Sequence, residues 1–564
     1  MLKTADLIVF LIYFILVASY GIWIYRRKKH IKETSVDFFL AEGSLTWWAI
    51  GASLIASNIS AEQFIGMSGS GFKLGLAIAA YEWLAAASLI IVAVFFMPIY
   101  LKNRIFTMPQ FLKTRYNETV ALIMAIFWLF LYVTVNLTSI LYLGAIAINN
   151  LAGGAHFHLV MIGLAVFALI ITLGGMKVIG YTDVIQVAVL IIGGFVTSYI
   201  ALTLVSDHFG YGKNLLAGFN ALLEKAPGHF HMIFEKPKEG AAPEHVSNYL
   251  DLPGVSMLIA GMWIANLNYW GCNQYITQRA LGADLKTART GILFAAFLKL
   301  LMPLIVVLPG IAAYVLYQNG ALQQEMLTNG QLRSDNAYSA ILTFLPTGLK
   351  GLSVAALTAA IVASLAGKAN SISTIYTLDI YKKYIKKDAP DNRLVWIGRV
   401  AVIVSLVIAI IVNWKDTLGI GGEGGFIFIQ KYTGYISPAI FAVFLLGFFW
   451  KGATARAAIA GIVGGVALMV LFDKFLPGIY PETPLYTAFL NAQGVYEIPF
   501  LVSMGWVFFF TVVLMVVISL LDKEGRRNVD ALNVDARMFR VTPGVLTMII
   551  IILGILLALY IRFW

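Results

Sequence analysis

The run Ser57-Asn58-Ile59-Ser60-Ala61-Glu62-Gln63 sits inside an apolar stretch long enough to be a membrane span, with Trp47 to Ala56 before it and Phe64 to Gly71 after it. Hydrocarbon offers the backbone no hydrogen-bond partners. An interrupted, polar span therefore persists only where it is buried in protein or lines a wet cavity that holds a ligand. The feature points to a transporter or channel. A second such span, Ile264-Ala265-Asn266-Leu267-Asn268-Tyr269-Trp270-Gly271, lies in the other half of the chain. Two broken helices at corresponding places in two halves are the mark of an inverted-repeat secondary transporter.

The bulk properties agree, since 60% of the residues are hydrophobic and only 12% charged, with a mean hydropathy of +0.83. Such a chain is a polytopic membrane protein whose partner is the lipid bilayer. The formal charge of +11 does not imply nucleic acid, because the cations fall in short loops between apolar spans, which is the positive-inside pattern. The single cysteine, Cys272, excludes an intramolecular disulfide and a cysteine-built metal site. The first apolar stretch, Leu7 to Ile24, precedes its basic cluster and is expected to be a retained span rather than a signal peptide.

About fourteen segments are long enough to cross ~30 Å of hydrocarbon. They lie near 5–25, 46–66, 77–100, 119–149, 158–176, 181–206, 255–277, 290–318, 347–375, 394–413, 424–449, 457–473, 500–521 and 542–562. Placing the cluster Arg26-Arg27-Lys28-Lys29 in the cytoplasm puts most loop cations inside and both termini outside. The segment Ser206 to Gly254 is too short and irregular to be an enzymatic domain. The chain reads as one transmembrane transporter domain over 1–564, all α. It comprises a peripheral helix at 5–25, a ten-helix core over 46–449 made of two sets of five that each open with a broken helix, and three peripheral helices over 457–562.

An unwound helix exposes backbone carbonyls and the negative ends of half-helix dipoles, which suit a cation, while the positive ends suit polar substrate groups. Ionisable groups inside spans are functional candidates by default. Glu82 opens the third span and Lys299 lies in the eighth, so a carboxylate and an ammonium facing one cavity would bind hydroxyls, one accepting and one donating. A bare interhelical salt bridge is the structural alternative. With Asn266, Gln63 and Gln430 beside Tyr269, Trp270 and Tyr81, the set suits a sugar, whose hydroxyls need amides and charges and whose C–H face stacks on aromatics. An amino acid could satisfy the same groups, and residue types alone leave that choice open.

The order of motifs resembles the solute:sodium symporter family, and within it the sodium/galactose and sodium/glucose branch. The residues that carry the resemblance are Ser53 through Gly71, Ala80-Tyr81-Glu82-Trp83, Ala265 through Gly271 with Asn273-Gln274-Tyr275 and Gln278-Arg279, Gly174-Gly175 with Thr182-Asp183-Val184-Ile185-Gln186, Asn370-Ser371 with Leu378-Asp379-Ile380-Tyr381, and Tyr432-Thr433-Gly434 with Ser437-Pro438. The likeness covers nearly the whole chain. It implies a LeuT-type fold of five plus five helices in inverted repeat, one extra helix before the core and three after, and sugar uptake driven by co-transported sodium through alternating access in a bacterial inner membrane.

Carried over by position, the resemblance assigns sugar contacts to Gln63, Glu82, Asn266, Lys299 and Gln430, with Asn136 as a further polar neighbour. Tyr269 would stack on the sugar from the cytoplasmic side beside Trp270, and Met67, Tyr81 and Phe426 would form the outer lid. The serine that galactose carriers of the family have three residues after this glutamate is Ala85 here, which bears on hexose preference. For sodium the resemblance gives the backbone carbonyls of Ala56, Ile59 and Ala360 and two consecutive hydroxyls, of which this chain has only Ser364, because position 363 is alanine. Asp183 matches an aspartate linked to cation passage; an ion pair with a loop cation is its alternative. Lys368 recurs on the face of Ala360 and Ser364 and is expected to snorkel toward the cytoplasm, with a tethered-cation role as the alternative.

Other function classes fare worse. The seven histidines, His30, His156, His158, His208, His229, His231 and His245, fall in loops or at span ends, and no His-Glu-x-x-His or serine-nucleophile motif appears, so an enzyme is not expected. A sodium symporter for another small polar solute, or a sugar uniporter or sensor with a degenerate cation site, are the remaining alternatives.

Overall fold

The computed structural model describes residues 3–26, 45–105, 107–151, 154, 156–173, 175–328, 330–415, 425–527 and 532–564. Three of the four basic residues that orient the chain, Arg27, Lys28 and Lys29, lie outside them, as do His30 and Gly174. Ten helices matter for the site: α1 (Thr4–Arg26), α2 (Trp47–Asn58), α3 (Ser68–Leu74), α4 (Gly175–His208), α5 (Met262–Gly271), α6 (Gln274–Leu281), α7 (Leu285–Gln318), α8 (Leu349–Thr374), α9 (Gly425–Gly434) and α10 (Ser437–Phe449). Two short antiparallel strand pairs lie outside the helices, with Leu327 opposite Leu332 in one and Phe489 opposite Glu497 in the other.

Among the described residues, eleven helices are long and apolar enough to cross a membrane, or twelve when the pair α9 and α10, bent by 51°, is taken as one span. A further apolar helix, Phe157–Thr172, is shorter. The expected count of fourteen is not reached on length and composition. The stretch 46–66 folds as the twelve-residue α2, then a break, then a π-helical turn Glu62–Met67 that leads into α3.

That first break falls where the polar run placed it. The Ile59 N–H still bonds the Ile55 carbonyl at 2.8 Å, but Ile59 itself is extended, at φ −81° and ψ 106°. The Ser60 hydroxyl accepts the Glu62 N–H at 3.2 Å, and the Ser60 carbonyl accepts from Gln63 and Phe64 at 3.1 and 3.2 Å, restarting the helix. The second break is displaced from its expected place. Ile264 to Gly271 is unbroken helix within α5, and the interruption comes at Cys272 and Asn273, whose side chain caps α6 by accepting the Tyr275 N–H. Gly271 leaves no space for a side chain beside Phe96, and its carbonyl accepts the Tyr100 hydroxyl at 2.6 Å.

The chain divides into two compact units. The first comprises residues 1–79, 129–231 and 297–429, and α8 is its core helix, buried at every position from Ser353 to Thr374. Its frequent alanines and glycines, among them Ala355, Ala359, Ala363, Ala366 and Gly367, let neighbouring backbones approach, the usual device where no hydrophobic effect drives helices together. Asp6 of α1 caps the start of α8 by accepting the N–H groups of Gly348 and Gly351 at 2.7 and 3.1 Å. This anchors the first helix to the core of its unit.

The second unit comprises residues 80–128, 232–296 and 430–564. Here Arg115 is buried and donates to the carbonyls of Gly447, Trp450 and Ala453 at 2.9, 2.8 and 3.1 Å, closing the end of α10. Lys431, in the last turn of α9, pairs with Glu497 at 2.6 Å.

Candidate functional site

The break after α2 leaves carbonyls at a helix C-terminus without intrahelical donors. The Ser364 hydroxyl fills that role, donating to the Ser57 carbonyl at 3.0 Å and within 3.3 Å of the Ala56 carbonyl. Ala56, Ile59, Ala360 and Ser364 are each no more than 1% exposed. The structure thus brings the expected sodium-binding segments of α2 and α8 together, and the Ser57 carbonyl, which is not in the expected set, joins them. A cluster of neutral oxygens at the negative end of a helix is suited to a small hard cation. Ala363 beside it is 2% exposed and brings no oxygen.

A chain of polar contacts leads away from this cluster along α2. The Ser57 hydroxyl donates to the Ser53 carbonyl at 2.6 Å, and the Ser53 hydroxyl donates to Asp183 Oδ2 on α4 at 2.6 Å. Asp183 is 1% exposed. The aspartate expected on the cation's route is therefore hydrogen-bonded to the helix whose carbonyls are expected to bind the cation.

Lys368 does not snorkel. It is buried, with its ammonium 4.0 Å from Glu62 Oε1 on the turn that follows the break. Lys299 of α7 is also buried and donates to Asn58 Oδ1, the side chain of the last residue of α2. Gln63 and Met67 are buried on the π-helical turn, and Asn136 is buried on a second such turn, Tyr132–Leu137. Phe426, in the first turn of α9, is buried against Gly66, where a Cβ would come within 2.6 Å of the Phe426 nitrogen. Only glycine at 66 permits that approach.

Among the second unit's residues, Glu82 is buried in the first turn of the helix Ala80–Ile91, with Tyr81 beside it and Ala85 one turn on. Asn266 of α5 is buried and donates to the Met262 carbonyl at 3.0 Å. Tyr269 and Trp270 meet edge to face with ring centroids 5.2 Å apart. Asn268 donates to the Ser437 hydroxyl at 3.1 Å, and Ser437 donates to the Thr433 carbonyl at 2.8 Å, so α5 is fastened to the bend that follows half-buried Gln430. That third bend was not anticipated. Gly434 and the Ser437-Pro438 pair signal it, because proline belongs at the start of a helix and not in its middle.

Among the described residues no group of three or more His, Cys, Asp or Glu side chains could hold a metal ion.

Comparison with known proteins places this arrangement. Residues 38–465 match the Sodium:solute symporter family. The chain is 43% identical to a sodium/glucose cotransporter of Vibrio parahaemolyticus over 100% of its own length and 99% of that protein. It is 33% identical to sodium/myo-inositol cotransporter 2 of Sus scrofa over 85% of its length and 71% of that protein's. Among solved structures, a Na+-coupled sialic acid symporter in a substrate-bound outward-open state aligns with a TM-score of 0.73 at 20% identity, covering 92% of this chain and 98% of that one. A nucleobase-cation-symport-1 family transporter in a closed conformation aligns with a TM-score of 0.51 at 14% identity, covering 87% and 96%. These two likenesses bear on fold alone and support the LeuT-type architecture of five plus five helices. The protein is a transporter and not an enzyme, its co-transported ion is sodium, and the chain belongs to the sodium:solute symporter family.

Proposed function

We propose that the chain takes up a monosaccharide of the glucose and galactose type together with sodium, by alternating access. The observation that carries this reading is the end-to-end 43% identity with a sodium/glucose cotransporter, joined to the Ser364 hydroxyl closing on the carbonyls at the break of α2. In this reading Gln63, Glu82, Asn136, Asn266, Lys299 and Gln430 bind the sugar hydroxyls. Met67, Tyr81 and Phe426 form the outer lid, and Tyr269 and Trp270 the inner platform. Ala56, Ile59 and Ala360 lend carbonyls to sodium, Ser364 lends its hydroxyl, and Asp183 lies on the cation's route. The protein works in a bacterial inner membrane with both termini outside, consistent with the basic cluster after α1.

A cyclic polyol is the second substrate reading, favoured by the 33% identity with a sodium/myo-inositol cotransporter and by Ala85, which withdraws a hydroxyl from the set. Uptake of labelled glucose, galactose and myo-inositol into proteoliposomes, in sodium against choline buffer, tests both. Accumulation of a hexose above its outside concentration in sodium alone is expected. Equal rates in the two buffers would defeat sodium coupling, and preferential accumulation of myo-inositol would defeat the hexose assignment.

A further inference from the structure

Lys368 stands one turn beyond Ser364 and two beyond Ala360 on a shared face of α8. It is 3% exposed, and its ammonium lies 4.0 Å from a Glu62 oxygen. That spacing is at the outer limit of an ion pair. A lysine ammonium is a compact point charge on a flexible four-carbon stem. Its neighbours along the face are the Ser364 hydroxyl and, through it, the Ala56 and Ser57 carbonyls at the negative end of α2. Ala363 contributes no oxygen there, so an incoming sodium ion meets few protein ligands and a positive charge close by. Glu62, which opens the turn after the break, is the group able to hold that charge aside.

We propose that Lys368 is a resident cation that competes with sodium. In the sodium-free carrier its ammonium is shared between the carbonyl cluster and Glu62, and sodium binding shifts it fully onto Glu62. Lysine thereby sets a low sodium affinity, and the empty carrier returns without an uncompensated pole at the break. The inference rests on the reading that sodium uses Ala56, Ile59, Ala360 and Ser364, and it deepens that reading by naming the ion's competitor.

The test is sodium binding to the purified full-length protein without sugar, followed with radioactive sodium in a scintillation proximity assay. Lys368→Met should tighten sodium binding about ten-fold, the equivalent of ~1.4 kcal/mol, and Lys368→Gln should do the same if the methionine variant does not fold. Lys368→Arg, which keeps the charge, should not tighten it. Glu62→Gln should weaken binding, because the ammonium loses its alternative partner. Unchanged or weaker binding in a folded Lys368→Met or Lys368→Gln variant overturns the proposal. Ser364→Ala separates the two levels of argument. If it leaves sodium binding intact, the assigned sodium site is wrong. If it weakens binding while neutralising Lys368 has no effect, the site stands and only the competitor role fails.

Discussion

Ser53 donates its hydroxyl hydrogen to Asp183 across 2.6 Å, joining α2, which ends at the break, to α4. The acceptor is a buried carboxylate, and hydrogen bonds to charged groups contribute about 1.5–3 kcal/mol. Two substitutions separate charge from hydrogen bonding. Asp183→Asn keeps an acceptor for Ser53 and removes the charge. It should fold normally while sodium-driven uptake falls on the order of ten-fold, or ~1.4 kcal/mol of barrier. Asp183→Leu strands the hydroxyl as well and should destabilise the fold by about 1–3 kcal/mol. Thermal unfolding in detergent alongside uptake in proteoliposomes reads the two effects apart. Wild-type uptake in Asp183→Asn would remove this carboxylate from the ion's route.

Lys299 reaches Asn58 at the end of α2, so its ammonium is held at the break by an amide. A lysine ammonium carries three N–H donors, and in the proposed site a substrate hydroxyl accepts from it. Lys299→Ala should therefore weaken sugar binding by about ten- to a hundredfold, the equivalent of ~1.5–3 kcal/mol, and Glu82→Ala should do the same. Titration calorimetry with the folded variants measures it. Unchanged affinity would reduce these charges to structural roles.

Asp335 lies in the 3-10 turn Ser334–Asn336, in the same compact unit as α3 and as Gly425 at the start of α9. One carboxylate oxygen accepts the Gly425 N–H at 3.0 Å, and the other is buried with no hydrogen-bond partner among the described residues. A Cβ at Gly69 would come within 2.5 Å of that second oxygen. Burial pushes the Asp335 carboxyl up to about 6 from 3.8, although the Gly425 N–H and Arg333 pull the other way. The native state therefore binds the proton more tightly than the unfolded chain does. The stabilisation is complete below about pH 3.8 and is lost as pH rises through about 6. Asp335→Asn should flatten this dependence and stabilise the protein at pH 7.5 by about 1–3 kcal/mol. Gly69→Ala should destabilise it at every pH. Unfolding midpoints across pH 4–8 decide the matter, and parallel profiles for wild type and Asp335→Asn would show that Asp335 does not titrate in this window.

The membrane orientation follows from loop charge and is open to direct labelling. Single cysteines placed near Arg27, Lys383 and Arg526, in a chain whose buried Cys272 is replaced by alanine, should resist impermeant maleimides in intact cells and react after permeabilisation. Labelling of any of the three from outside reverses the assignment.

The first break was legible because polar residues stood where only apolar ones survive in lipid. Twelve of the fourteen expected spans followed from apolar length, the segments near 46–66 and 158–176 being too short or interrupted to qualify among the described residues. The break after α5 was expected within Ile264 to Gly271 and lies just beyond it, at Cys272 and Asn273. The polar side chains of Asn266 and Asn268 mark what the helix presents, whereas the interruption is made by the cap at Asn273 and the tight packing of Gly271. Periodicity placed Ser364 and Lys368 on one face of α8 correctly. It could not supply the partner across from that face, so Glu62 for Lys368, Ser53 for Asp183 and Asn58 for Lys299 emerge only from the fold. Each pair joins residues far apart in the chain, and a helical pattern carries no information about which distant helix meets it.

Sodium affinity supplies the last prediction. The carbonyl cluster at the end of α2 has a single hydroxyl from α8, that of Ser364, and the preceding position is the buried Ala363. Ala363→Ser adds one oxygen without adding charge and little volume, so any gain reflects coordination and not a change in the electrostatic competition from Lys368. A buried hydroxyl with no partner is costly, by about 1–3 kcal/mol. The substitution should therefore lower thermal stability in choline and recover it in sodium, as ligand binding to the native state requires. The sodium concentration for half-maximal sugar uptake should fall by several-fold, with the maximal rate little changed. A serine at 363 that lowers stability equally in both salts and leaves the half-saturating sodium concentration where it was would mean that this position does not face the ion.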